Sequence, residues 1–168
     1  VAGQSCDMER IAALAKRYGV TVIEDASHAI GGSYQGSRIG SCQYSAMTVF
    51  SFHPVKIVTT GEGGVIATNR GDLAERLGRL RSHGITRDPA RMTGTSPGPW
   101  YYQQIELGFN YRMTDIQAAL GTSQLSRLDE FVAIYHETMN AVGAQEWYYF
   151  GRDHFAALRA ALGGALHL

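Results

Sequence analysis

The chain has 168 residues, 45% of them hydrophobic and 18% charged, a composition ordinary for one globular domain or a large piece of one. Fifteen basic residues balance fifteen acidic ones and no Lys/Arg run occurs, so charge makes no case for a nucleic acid or an anionic membrane as partner. No apolar run reaches membrane-spanning length. Cys6 and Cys42 stand at no metal or disulfide spacing, which makes a reducing cytoplasm the expected setting. The chain opens on "VAGQSCD", without Met, and the expectation is a fragment whose upstream part is missing.

Taken in order, residues 7–18 read as an amphipathic helix. Met8, Ile11, Ala12, Ala15 and Tyr18 recur at helical spacing, Asp7 is placed to cap the start and Gly19 to end it. "VTVIED" follows as a short buried strand, so helix, glycine and strand form half of an α/β crossover. Glu24 and Asp25 then fall at the carboxyl end of that strand, where open α/β sheets place ligands. Residues 31–41 are turn-rich, a loop or short hairpin. "AMTVFSF" (46–52) reads as a second buried strand and "GGVIAT" (63–68) as a third, ended by the turn "NRGD". Leu73, Leu77 and Leu80 return to helical period over 72–82. The stretch 86–104 holds three of the four prolines and reads as a long exposed loop. Thr114 and Gln117 have capping-box spacing and start a helix with Ile116, Leu120, Leu125 and Leu128 as its apolar positions. The tail from Val142 carries little pattern.

The chemistry rests on two residues that are unremarkable alone. A strand-end Asp25 can simply cap the next turn, and a lysine such as Lys56 is usually a solvated cation. Together they suggest more, because each follows a strand. If those strands lie parallel, both side chains reach one rim of the sheet. Pyridoxal phosphate needs such a pair: a lysine to bond its aldehyde and a carboxylate to keep its pyridine nitrogen protonated. An adjacent Asp favours the charged ring. The lysine must be neutral to attack. Ser51, five residues before the lysine, can serve the cofactor phosphate. "TTGEGG" either adds hydroxyls and close-approaching backbone or is a plain turn. His28, three residues past Asp25, is either placed against the cofactor ring or a satisfied core histidine. His28, His53 and His83 fall in no HxH, HExxH or CxxC arrangement, so no metal is expected. "SFH" lacks the GxSxG turn of a hydrolase, and no GxGxxG opens a helix after a strand.

"VIEDASHAIGGSYQGSRIGS", "FSFHPVKIVTTGEGGVIAT", "RSHG" and "LGFNYRMTDIQAALGTSQLSRLDEF" together resemble the DegT/StrS family of sugar-nucleotide aminotransferases, over roughly residues 1–131. The resemblance implies an α/β fold: part of the large domain of the fold-type I, aspartate-aminotransferase-like, pyridoxal-phosphate-dependent transferases. It implies that Lys56 bonds the cofactor and acts as acid and base, that Asp25 pairs with the pyridine nitrogen, and that His28 lies against the ring or its hydroxyl. It further implies that Ser51 binds the cofactor phosphate and that Asn110 reaches the site of a neighbouring subunit in a homodimer, with Arg112 lining the same place. The implied reaction moves an amine from a donor such as L-glutamate to a nucleotide-linked keto-sugar. "FHPVK…TTGEGG" and "RSHG" look most like the branch acting on UDP-linked 4-keto-6-deoxy-hexoses, as in the pseudaminic acid route. Dehydratase relatives typically carry His where this chain has Lys56, which favours transamination. The alternatives are such a dehydratase relative, or a non-catalytic α/β remnant serving as a dimerisation or binding scaffold.

The resemblance expects an upstream phosphate-binding turn and aromatic region that this sequence does not contain. It fades after Phe131, so 1–131 is expected to be a partial cofactor-binding domain and 132–168 a divergent or truncated tail. The 168-residue chain by itself is then expected to show little or no transaminase activity; steady turnover by that chain would contradict this.

Overall fold

The computed structural model describes residues 3–141. Helix α1 spans Met8–Tyr18. The Asp7 carboxylate accepts from the Arg10 amide at 3.4 Å, and Gly19 ends the helix at φ 64°, a left-handed conformation that favours glycine. The chain then enters strand β1, Ile23–Asp25.

A hairpin follows, β2 (Ser33–Tyr34) and β3 (Ser37–Arg38), joined through Gln35 and Gly36 at φ 48° and 80°. Two central residues with positive φ match the right-handed twist of the paired strands. Strand β4 (Met47–Ser51) lies parallel to β1, with Ile23 opposite Met47 and Asp25 opposite Val49. Strand β5 (Gly64–Ala67) returns antiparallel on the other side of β4, which gives a three-stranded sheet in the order β1-β4-β5. Because β1 and β4 run in one direction, Asp25 and the segment leaving Ser51 emerge at the same rim.

The core sits under that rim. Ala26, Phe50, Phe52 and Val58 are buried together, with Ile30, Ile39, Ile57, Met113 and Leu128 packed against them. Val58 is completely buried, only two residues past Lys56. Burying a side chain of that size contributes roughly 1.5–3 kcal/mol, enough to anchor the loop that carries the lysine.

Helix α2 (Gly71–Leu80) leads into β6 (Ile85–Thr86), which pairs antiparallel with β7 (Gln103–Gln104). Helix α3 spans Asp115–Leu125 and α4 Leu128–Ala141. The capping box at the start of α3 is complete: the Thr114 hydroxyl accepts from the Gln117 amide, and the Gln117 side chain accepts from the Thr114 amide.

Four expectations change. The strands expected to be buried are not equally so: Ile23 is 56% exposed, and Val65 and Ile66 are exposed too. Only β4 has a partner on both sides among the described residues, and β1 and β5 are the outer strands. The long loop 86–104 is not wholly irregular, since its ends pair as β6 and β7 and Asp88 caps a short 3-10 turn at Pro89–Arg91. The single helix expected from Thr114 is two, broken around Ser126 and Arg127. Its apolar positions are also misjudged: Ile116 is 85% exposed, and the buried residue of α3 is Gly121, seated against the Thr60 methyl. The tail from Val142 lies outside the described residues.

Gly84 holds φ 67°, and a Cβ there would collide with the Glu106 carbonyl; Gly36 has φ 80° but open space around it. Gly84→Ala should therefore lower stability by about 3 kcal/mol or more, against about 1 kcal/mol for Gly36→Ala. Urea unfolding of both variants checks this, and equal losses would contradict the backbone-on-backbone contact.

Candidate active site

Asp25 ends β1 with its side chain exposed, yet its carboxylate is held. Oδ1 accepts from the Ser27 hydroxyl at 2.6 Å and the Ser27 amide at 3.1 Å, an Asx-type turn that follows from the D-x-S spacing. The Ser27 hydroxyl first, then its amide, hold the Asp25 carboxyl below the usual carboxylate range, with a smaller contribution from His28. Both bonds fall on Oδ1, and Oδ2 has no partner among the described residues. Asp25 is thus an oriented, ionised carboxylate with one oxygen to offer.

Lys56 lies in the loop between Phe52 and Gly63, half-buried. The Phe52 amide donates to the Gly63 carbonyl at 2.9 Å and the Thr60 amide to the Phe52 carbonyl at 3.0 Å, which pinches the loop at its base. The Lys56 amide donates to the His53 carbonyl at 2.9 Å, turning the lysine back over the sheet. There Lys56 Nζ is 2.7 Å from His28 Nε2. His28 is pushed below its ordinary range, first by partial loss of solvent around the ring, then by the charge of Lys56, against an opposing pull from Asp25. A neutral imidazole with Nε2 as acceptor suits an ammonium donor at that distance. His28, left open between ring contact and core histidine, is an exposed residue that touches the lysine, three positions past Asp25.

Ser51 is half-buried at the end of β4, and its oxygen accepts from the His53 amide at 3.4 Å, leaving its own proton to give. The hydroxyls of "TTGEGG" are engaged differently from the ligand-binding option. Thr59 Oγ1 donates to the Phe52 carbonyl at 2.9 Å and Thr60 Oγ1 to the Glu62 carbonyl at 2.8 Å, so both protons close the loop itself. Asn110 is exposed and bridges to Ser82, away from the other four residues in sequence and attached to the end of α2. Arg112 is exposed and makes no ion pair among the described residues. His83 sits beside Asn110 at φ 63°, its amide bonded to the Phe109 carbonyl.

Three supporting contacts escaped the sequence reading, those of Ser27, Gln124 and, beyond its capping role, Gln117. Ser27 was legible in the D-x-S spacing. Gln124, whose side chain accepts from the Thr59 amide at 2.7 Å, and Gln117, which donates to the Glu62 carbonyl at 3.0 Å, were not, since both reach from α3 across more than fifty positions. A cavity of about 630 Å³ lies elsewhere, between the β2–β3 hairpin and the α3–α4 junction, and none of the candidate residues lines it. Among the described residues no cluster of His, Cys, Asp and Glu is arranged to hold a metal ion, and no helix is long and apolar enough to cross a membrane.

A strand-end carboxylate, a histidine and a lysine stand at one rim of the α/β sheet, an arrangement that suits a reactive carbonyl cofactor held between an amine and an acid. The residues fit pyridoxal phosphate, because Asp25 is held ionised with a free oxygen and Lys56 is held at the same rim. The comparisons are specific. A model of the DegT/DnrJ/EryC1/StrS aminotransferase family matches residues 1–144. The chain is 48% identical over 131 residues to GDP-perosamine synthase of Caulobacter vibrioides, covering 78% of this chain and 32% of that protein. It is 43% identical over 127 residues to the UDP-4-amino-4,6-dideoxy-N-acetyl-beta-L-altrosamine transaminase of Campylobacter jejuni, covering 76% and 31%. Among solved structures it superposes on Helicobacter pylori PseC, an aminotransferase involved in the biosynthesis of pseudoaminic acid, with TM-score 0.67 and 32% identity over 82% of this chain and 36% of that one. The chain belongs to the DegT/DnrJ/EryC1/StrS aminotransferase family, whose members are pyridoxal-phosphate-dependent, and its fold is part of the fold-type I large domain. It spans about a third of the length of the curated relatives it matches.

The folded Asp25 carboxylate binds its proton less tightly than an unfolded one. Its contact with Ser27 therefore stabilises the fold above the ordinary carboxyl range, and that contribution is lost as pH falls through the folded pKa. Ser27→Ala should move the Asp25 titration, followed by carboxyl-carbon NMR, back up toward the ordinary value; an unchanged titration would contradict the Ser27 contact.

Proposed function

We propose that the protein carries out pyridoxal-phosphate-dependent transamination of a nucleotide-linked keto-sugar, with an amino acid such as L-glutamate as donor. One observation carries the reading: Lys56 Nζ lies 2.7 Å from His28, at the rim where β1 delivers an ionised Asp25. When bound, pyridoxal phosphate supplies an aldehyde and an electron-withdrawing pyridinium that acidifies the proton on the amine-bearing carbon.

This chain's residues do the rest. Asp25, through its free Oδ2, keeps the proton on the ring nitrogen. Lys56 Nζ would hold the cofactor's aldehyde carbon, and its amine is the group placed to take the proton from the donor's Cα. In the opposite half-reaction it delivers a proton to the sugar carbon that receives the amine. His28 holds Nζ and lies against the ring or its hydroxyl. Ser51 gives its hydroxyl proton to the cofactor phosphate. Asn110, on a separate exposed segment, serves the phosphate of a second subunit, which makes the working unit a homodimer. Arg112 lines the same place.

The sugar is read as a UDP-linked 4-keto-6-deoxy-hexose, although the relatives act on both UDP- and GDP-linked sugars by their names. The setting that suits these soluble substrates and two free cysteines is the cytoplasm. The division at residue 131 is likewise proposed; α4 runs across it.

The test is covalent capture. With excess pyridoxal phosphate the purified protein should develop a visible absorption band, and borohydride should fix the cofactor on the peptide containing Lys56. Lys56→Ala should show neither. Asp25→Asn should still capture the cofactor on Lys56, but the absorption band should shift because the ring nitrogen is no longer held protonated. Equal behaviour of wild type and Lys56→Ala would overturn the catalytic reading.

A further inference from the structure

The segment from Ser51 to Lys56 is tied together through one residue, His53. Its amide donates to Ser51 Oγ at 3.4 Å, and its carbonyl accepts from the Lys56 amide at 2.9 Å. Its imidazole Nδ1 accepts from the Val55 amide at 3.3 Å. His53, Pro54, Val55 and Lys56 are thus the four residues of a turn. The backbone bond closes it from first residue to last, and the ring closes it from first to third.

Each part has a physical reason. Pro54, at the second position, limits its own φ to about −65° and has no N–H to give. The Lys56 amide is spent on the His53 carbonyl, so the amide left over in the turn is that of Val55, and the imidazole takes it. A side chain that accepts from the backbone two residues on is ordinarily Asn or Asp. Here a histidine does it, with a side chain only half exposed, at 48%.

The protonation follows from the bond. A backbone amide can only donate, so Nδ1 carries no proton and that of the neutral ring lies on Nε2. Nε2 stands 3.9 Å from Glu62 Oε1, a carboxylate that favours the proton on that side. Glu62 is held from behind, its carbonyl accepting from Thr60 Oγ1 at 2.8 Å and from Gln117 Nε2 at 3.0 Å. The ring therefore spans the lysine loop from its entry at His53 to its exit at Glu62.

On the far side of Lys56 the buried Val58 anchors the chain. The lysine is fixed from both sides, and Nζ ends 2.7 Å from His28 Nε2. We propose that His53 is a positioning residue for Lys56, its unprotonated Nδ1 holding the turn that aims Nζ at His28. The consequence for cofactor bonding rests on the reading of Lys56 as the amine that takes pyridoxal phosphate; the positioning itself does not.

Two variants separate the roles of the ring nitrogens. His53→Asn keeps an acceptor, Oδ1, where Nδ1 stood, whereas His53→Gln carries its side-chain amide further out, where Nε2 stood. His53→Asn should behave as the wild type. In His53→Gln the Val55 amide should exchange its hydrogen about fivefold faster. The His28 titration, followed by imidazole NMR, should there move up toward its ordinary value, because Lys56 is one of the charges that hold it down. Capture of pyridoxal phosphate on Lys56 by borohydride should slow about fivefold in the same variant. Circular dichroism checks each fold, and ring-nitrogen NMR of the wild type needs no variant: the proton of neutral His53 should sit on Nε2, and a proton on Nδ1 overturns the proposal. Wild-type exchange and His28 titration in His53→Gln, an effect on Val55 that leaves His28 unmoved, or equal damage in His53→Asn would each overturn it too. If the wild type captures no cofactor while Val55 and His28 respond as stated, the transaminase reading fails and the positioning stands. If the wild type and His53→Gln capture at one rate, the positioning fails alone.

Discussion

The site depends on the register between β1 and β4. Glu24, immediately before Asp25, lies opposite Thr48, and the two are bonded: Glu24 Oε1 accepts from Thr48 Oγ1 at 3.1 Å and from Ser45 Oγ at 2.5 Å. Thr48 is fully buried and also contacts Cys42 Sγ. A slip of one residue would break these bonds and turn Asp25 to the other face of the sheet. The polar lock thus fixes where the carboxylate leaves β1 relative to the loop that leaves β4. Its neighbour in sequence supplies the chemistry, while Glu24 itself works as a structural group.

The lysine is positioned by a second set of contacts, made from a distance. Val58 buries itself in the core just beyond Lys56, and Thr59 and Thr60 spend their hydroxyl protons closing the loop. Helix α3 then grips the loop from outside through Gln124, Gln117 and the close seat of Gly121 against Thr60. Gln117 does double service, because the same side chain completes the capping box of α3. The segment that carries Asn110 and Arg112 leads directly into that helix, so the loop around Lys56 and the exposed 81–112 region share one mechanical support. Where such a bond is shielded, as at the Thr59 amide and the buried Thr60, removing its partner leaves a polar group unsatisfied, which is costlier than the bond itself is stabilising.

Much of this was legible before the coordinates. The caps of α1 and α3 were readable because Asp7, Gly19, Thr114 and Gln117 act locally, through backbone groups a few residues away. That Asp25 and Lys56 reach one rim was conditional on their strands lying parallel, and the pairing of β1 with β4 meets that condition. What failed was mostly burial. An apolar run such as "VTVIED" reads as buried whatever lies beside it, whereas exposure depends on how many partners the strand has. The pairing of β6 with β7 was hidden by the prolines between them, and the grip of Gln124 on Thr59 by a separation that no local pattern spans. The resemblance implied His28 against the cofactor ring; its contact with Lys56 required the fold.

The central claim is that Asp25, His28 and Lys56 surround one aromatic cofactor. A crystal structure of the protein with pyridoxal phosphate tests it most directly. The account predicts continuous density from Lys56 Nζ to the cofactor, the pyridine nitrogen within hydrogen-bonding distance of Asp25, and His28 in contact with the ring. A cofactor bound elsewhere, or Lys56 turned to solvent with Asp25 still closed on Ser27 alone, would contradict it.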